Sequence, residues 1–208
     1  MTGVQTCALP IYHEIANVTG GIWPLINMSS NRADSPRFSL VRDSPVPDGV
    51  QFIKVERKII ELRSIAELST RLKNNNSYYI PIDSDFPFDS FTVEFDDGNK
   101  SAILWVLQMT TSNKHGDSAK GYQKIREIVA MVKDKLLEDP PTKKIKMATG
   151  QAAPTQLVQV RYLLVVPTDG SESESQDLQW DFPKGWNHDY KKIDHRGNVY
   201  RLEVPVRT

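Results

Sequence analysis

The sequence predicts an α/β domain in which a mixed β-sheet is flanked by helices, and three observations predict it. The first is a hairpin. Phe88 to Phe95 alternates apolar and polar residues at period two, as a half-buried strand does, and Ala102 to Leu107 is apolar on both faces, as a covered central strand is. Between them Asp96-Asp97-Gly98-Asn99 supplies residues that tolerate the positive φ of a tight turn. The second is the stripe Tyr122, Ile125, Ile128, Val129, Val132 and Leu136, at the spacing of one helix face. The third is Leu157 to Val166, the strongest β signal in the chain. A strand–helix–strand crossover of this length favours a parallel pair beside the antiparallel hairpin.

The remaining elements follow in order. Tyr12 to Asn17 reads as the tail of a helix stopped by Gly20-Gly21. Ile22, Leu25 and Ile26 open a short strand that Pro24 confines to an edge. Residues 29–50, rich in Ser, Asp, Arg and Pro, read as a loop, and Val50 to Val55 as extended. Ile60, Ser64, Leu68 and Leu72, with Leu62 and Ile65, fit one short amphipathic helix ending at Asn74-Asn75-Asn76. Tyr78-Tyr79-Ile80 is a brief apolar run. Asp117 or Ser118 caps the long helix, and Pro140-Pro141 ends it. Residues 140–156 and 168–179 have the composition of mobile loops. Trp180, Phe182, Trp186 and Tyr190 supply aromatic packing, and Val199 to Val206 gives a last alternating strand.

The chain of 208 residues carries 26 basic and 26 acidic side chains, so net charge alone argues for no nucleic acid, membrane or acidic partner. No apolar run approaches the roughly 20 residues of a membrane span. The chain reads as soluble, with no membrane partner. Residues 1–11, MTGVQTCALPI, resemble the in-frame translation of a widely used sequencing adapter and read as an assembly scar. The only cysteine, Cys7, goes with them, which removes disulfides, thiolate catalysis and cysteine-based metal sites from consideration. The expected organisation is then a scar over 1–11, a partial N-terminal part over 12–77 and a core over 78–208.

The chemistry concentrates at the ends of the hairpin. With Asp97-Gly98 at the centre of the turn, Asp89 lies opposite Val106; with Gly98-Asn99 there, it lies opposite Gln108. Either register puts Asp89, Gln108 and Thr110 on one face, because strand side chains repeat every two residues. Asp85, Asp89 and Glu94 read as solvated acids or as ligands for a hard cation such as Mg²⁺, which takes carboxylate oxygens and tolerates water elsewhere. Gln108 offers a neutral carbonyl oxygen, or serves as an amide tying two strands together. His115 is a surface residue at a helix start, or a phosphate contact or proton carrier. His13, His188 and His195 show no metal-ligand spacing. Lys143-Lys144-Ile145-Lys146 is a solubilising loop run, a nuclear-import signal or a nucleic-acid contact. No phosphate loop, Walker motif or nucleophile elbow is present.

The segment Tyr79-Ile80-Pro81-Ile82-Asp83-Ser84-Asp85-Phe86-Pro87-Phe88-Asp89-Ser90-Phe91, followed by Trp105-Val106-Leu107-Gln108-Met109-Thr110 and Lys114-His115, resembles Crinkler-type effectors and the related retrotransposon-hot-spot proteins. The likeness covers about residues 78–167. It implies a restriction-endonuclease-like domain of the PD-(D/E)xK class, N-terminally truncated, acting on DNA with Mg²⁺. It also implies secretion and action inside a host cell, its nucleus included, with DNA or a host protein as partner. Carried over by residue, Asp89 stands at the metal-binding aspartate and Gln108 at the second acid, where this family has a Gln variant. Thr110 falls where the motif has its lysine. Lys114, Lys120 or Lys124 would have to supply that charge from the loop or helix. Glu14 corresponds to an acid of the first helix. Two function classes follow: an Mg²⁺-dependent nuclease, or a catalytically degenerate restriction-like fold that binds DNA or a host protein.

Overall fold

A computed structural model describes residues 22–29, 37–40, 51–53, 58–72, 77–82, 86, 88–96, 101–109, 114–116, 119–138, 158–168, 178–182 and 199–205. The strands, in chain order, are β1 (Ile22–Pro24), β2 (Ile26–Ser29), β3 (Arg37–Leu40), β4 (Gln51–Ile53), β5 (Lys58–Leu62), β6 (Ser77–Pro81), β7 (Ser90–Asp96), β8 (Ser101–Met109), β9 (Lys114–Gly116), β10 (Val158–Thr168), β11 (Gln179–Asp181) and β12 (Val199–Pro205). A 3-10 turn, Ile65–Glu67, leads into the short helix α1 (Leu68–Arg71), and α2 (Ala119–Glu138) is the long helix. The expected helix tail at Tyr12–Asn17, the scar, the cap at Asp117 or Ser118, the loop over 140–156, and Trp186 and Tyr190 lie outside the described residues.

The fold is mixed α/β. Ten strands join in the order β5-β6-β7-β8-β10-β12-β2-β3-β11-β9, and β1 pairs with β4 in a separate two-stranded ribbon. β6, β7 and β8 form an antiparallel meander, and the chain then passes through α2 to β10, which lies parallel to β8. The parallel pair beside an antiparallel hairpin is therefore present. β12 continues it, parallel to β10. Ser90 pairs with Leu107 and Asp96 with Ser101, so of the two registers open to the sequence the chain takes the one that sets Asp89 against Gln108.

Three local readings change. Lys58–Leu62 is a strand parallel to β6, and the helix is confined to the turn from Ile65 to Arg71. Ile59 and Ile60 are β-branched residues that fit a pleated surface as well as a helix face, and the neighbouring strand decides between them. β3 lies inside the stretch expected to be loop, and Lys114-His115-Gly116 is a strand in place of a helix lead-in. Both are held by partners distant in sequence, β3 by β2 and β11, β9 by β11.

The sheet cannot be flat. From Met109 to Lys114 five residue steps reach at most about 18 Å. In a flat sheet the six strand steps from β8 to β9 would span about 29 Å. The β12-β2-β3-β11-β9 side therefore curls back over the face that α2 covers. The ring contacts agree: Trp180 of β11 lies 5.2 Å from Tyr162 of β10, although three strands separate them in the sheet. Trp180 Nε1 donates to the Tyr122 hydroxyl of α2 at 2.6 Å, which ties the curled edge to the helix.

This concave face holds the larger core. Phe91, Val93, Ala102, Leu104, Val106, Val160, Tyr162 and Leu164 meet the helix stripe Tyr122, Ile125, Ile128, Val129, Val132 and Leu136, all buried. Each such side chain contributes roughly 1.5–3 kcal/mol by leaving water. The opposite face carries a second cluster built on Trp105, Leu107, Leu163, Val165, Tyr200 and Leu202. No helix among the described residues is long and apolar enough to cross a membrane.

Candidate functional site

The site forms where β7 begins and β8 ends. Phe88, in the bend before β7, is buried in the concave core and anchors the chain there. The Asp89 amide donates to the Leu107 carbonyl at 3.0 Å, just beyond the last paired residues, Ser90 and Leu107. Gln108 shares a face with Leu104 and Val106, and its bond to the Asp89 carboxylate brings Asp89 to that face. Phe91, Val93, Leu104 and Val106 identify it as the concave, helix-covered face.

Two donors converge on one carboxylate oxygen. Gln108 Nε2 donates to Asp89 Oδ2 at 2.8 Å, and the Met109 amide donates to the same oxygen at 2.7 Å. Among the described residues Asp89 Oδ1 and Gln108 Oε1 accept nothing. Burial pushes the Asp89 carboxyl up from 3.8 to about 6, against the opposing pull of the Met109 amide. The carboxylate is ionised at neutral pH, but at a cost in stability.

Leu164 is paired with Gln108 on one side and with Arg201 on the other. Gln108, Leu164 and Arg201 are therefore one row across β8, β10 and β12, with Asp89 bonded to its Gln108 end and with Gln108 and Arg201 about 10 Å apart at their Cα atoms. Arg201 Nη2 pairs with Glu203 Oε1 at 2.6 Å, and the Arg201 side chain is only 11% exposed. Its Nε is buried with no hydrogen-bond partner.

The expected site residues divide accordingly. Asp89 and Gln108 are brought together. Lys124, on α2, lies with its ammonium 4.4 Å from the centre of the Phe86 ring, a cation–π contact. Phe86 in turn packs edge-on against Phe88 at 5.2 Å, so Lys124 is tied to the segment that carries Asp89. Lys114 and His115 lie in β9, paired with Gln179 and Trp180 of β11, and Lys120 lies in the first turn of α2. Glu94 belongs to the other face, where it accepts from Trp105 Nε1 at 3.0 Å. Thr110, Asp85, Glu14, the lysine run at 143–146, and His13, His188 and His195 lie outside the described residues. Arg201 was not anticipated. Its alternation with Tyr200 and Leu202 is visible in sequence, but its neighbour Leu164 is 37 positions away and only the parallel pairing of β12 with β10 joins them.

Among the described residues no group of three His, Cys, Asp or Glu side chains could hold a metal ion. Asp89 Oδ1 and Gln108 Oε1 are nonetheless both oxygen donors without partners. One carboxylate and one neutral oxygen, completed by water and phosphate, is the smallest protein set that suits Mg²⁺. The chain matches no protein-family model, no curated protein and no solved structure.

Proposed function

We propose that this chain is a restriction-endonuclease-like domain of the Crinkler type that hydrolyses phosphodiester bonds in DNA with Mg²⁺. One observation carries the reading. A carboxylate at the start of β7 and an amide at the end of β8 are joined at 2.8 Å on the helix-covered face of a sheet. An antiparallel meander followed, after β9, by a long helix and a strand parallel to β8 supports the same reading.

The chain's own groups would divide the work as follows. Asp89 Oδ1 and Gln108 Oε1 would hold the ion. Gln108 Nε2 and the Met109 amide fix the carboxylate through Oδ2 and leave Oδ1 available. When bound, Mg²⁺ would activate water and neutralise charge on the phosphate. Above pH 6 Asp89 is the ionised ligand; below it, the proton competes with the metal. Lys124, held over the Phe86 ring, would supply a cation from α2.

A second reading is favoured by the neutral Gln108, whose amide donates to Asp89 where a second acid would have drawn the metal in. On that reading the domain binds DNA or a host protein without cutting. Supercoiled plasmid incubated with the protein and Mg²⁺ separates the two. Nicking that falls at least about 100-fold in Asp89→Ala is expected. Equal nicking by both proteins sinks the nuclease reading. Metal-independent, salt-sensitive binding with no nicking selects the second.

A further inference from the structure

We infer that Arg201 is the phosphate-binding cation of the site, a role that rests on the nuclease reading for its substrate class, the phosphodiester of a nucleic acid. Three observations lead there. Arg201 shares a face and a cross-strand row with Gln108, which is bonded to Asp89. Leu164, between them in the row, is fully buried in the core, so a ligand would approach the row from its two polar ends. A site for a phosphodiester needs both ends: oxygen ligands for a metal, and a cation for the phosphate oxygens that the metal does not reach.

The third observation is the state of the guanidinium. Glu203, 45% exposed, holds one side through Nη2 at 2.6 Å. Nε is shut off from water and has no acceptor. A charged donor deprived of both is destabilising, and a ligand oxygen supplies what it lacks. The ion pair with Glu203 fixes the planar fork, so less freedom is lost when an anion arrives. The side chain keeps 11% exposure, so part of it still reaches solvent. On the other face, Arg161 has its guanidinium 5.0 Å from the Trp105 ring centre and donates Nη2 to Gln159. Its Nε is likewise buried without a hydrogen-bond partner, but Arg161 lies on the face away from Gln108, whereas Arg201 shares that of Gln108.

The test uses the full chain in EDTA, so that binding is read without cleavage. Anisotropy of a labelled DNA oligonucleotide is titrated at several salt concentrations for wild type, Arg201→Gln, Arg201→Lys and Lys58→Gln, the last an exposed charge on the far edge strand. In parallel, the melting temperature is followed with inorganic phosphate against chloride at equal ionic strength. Arg201→Gln is expected to weaken the oligonucleotide about 10-fold, lower the salt slope by about one, and abolish the phosphate-induced rise in melting temperature. Arg201→Lys keeps the charge but has no Nε–H fork. It is expected to keep the salt slope and lose most of the affinity, and the phosphate-free melting temperatures of both variants show that they are folded.

If wild type binds the oligonucleotide and Arg201→Lys binds it equally well with an unchanged slope, the inference falls and the nuclease reading stands. The inference also falls if Lys58→Gln costs as much as Arg201→Gln. If phosphate raises the wild-type melting temperature through Arg201 but no oligonucleotide binds, the anion site stands and the nucleic-acid reading falls. If wild type responds to neither, both fall.

Discussion

Asp89 and Glu94, five residues apart on the same chain segment, lie on opposite faces of the β7–β8 hairpin and are treated oppositely. On the convex face Glu94 accepts from the indole of Trp105, and the nearby Arg161 lies over the same indole and over Tyr200. Arg161 Nε is nonetheless buried there without a hydrogen-bond partner. On the concave face, among the described residues, Asp89 has two donors on one oxygen and none on the other, the Gln108 carbonyl oxygen accepts nothing, and Arg201 has a buried Nε without an acceptor. Alternation along a strand distributes acids to both faces without distinction. What sets the concave face apart is that its unengaged atoms belong to an acid, the amide bonded to it and an arginine in the same cross-strand row as that amide.

The sharpest way to break that contrast is the pH dependence of stability. The Asp89 carboxyl sits at about 6 in the fold, above its ordinary 3.8. Between pH 4 and 6 the folded chain therefore holds more protons than the unfolded one, and stability falls as pH rises through that window. The cost is absent below pH 4 and complete above pH 6, where the shift corresponds to at most about 3 kcal/mol. Asp89→Asn removes it while keeping an acceptor for the Met109 amide. Urea unfolding should show the variant more stable than wild type at pH 7.5 and indistinguishable at pH 4. Parallel pH curves for the two proteins would mean that Asp89 is solvated after all.

A smaller effect tests Gln108. Gln108→Glu replaces a donor to Asp89 with a like charge, so in EDTA at pH 8 it should lower stability by about 2 kcal/mol, relieved at pH 5 as one carboxyl takes a proton. Added Mg²⁺ should then raise the melting temperature of the variant more than that of wild type, because a second acid draws a hard cation in. A variant whose melting temperature ignores Mg²⁺ would show that these two positions do not share an ion.

How much of this could be read before the fold was known follows from the range of each signal. The hairpin and α2 were legible because period two and period 3.6 are local, and Tyr122 to Leu136 are buried in the pattern their spacing implied. Asp89 and Gln108 could be placed on one face for the same reason. Their register needed the ladder, since the turn residues allowed two. Ile60 to Leu62 fits a helix face in sequence because Ile60 suits either element, and only the pairing with β6 decides for a strand. β3, β9 and β11 are three or four residues each, too short for any period. Arg201 was hidden for a further reason: its row is assembled by two parallel pairings whose registers no local residue specifies.

The smallest expected effect is the mirror of the first. Glu94→Gln keeps an oxygen for the Trp105 indole and removes only the charge that strengthens the bond. Unfolding should therefore register a loss of about 1 kcal/mol, and plasmid nicking and oligonucleotide affinity should stay within about twofold of wild type. The sheet itself separates this carboxylate from the Asp89 row, so its charge reaches that row through the packed core rather than through any shared hydrogen bond. A large fall in nicking or binding with Glu94→Gln would show that the two faces act on one substrate, and the division drawn from their hydrogen bonds would have to be abandoned.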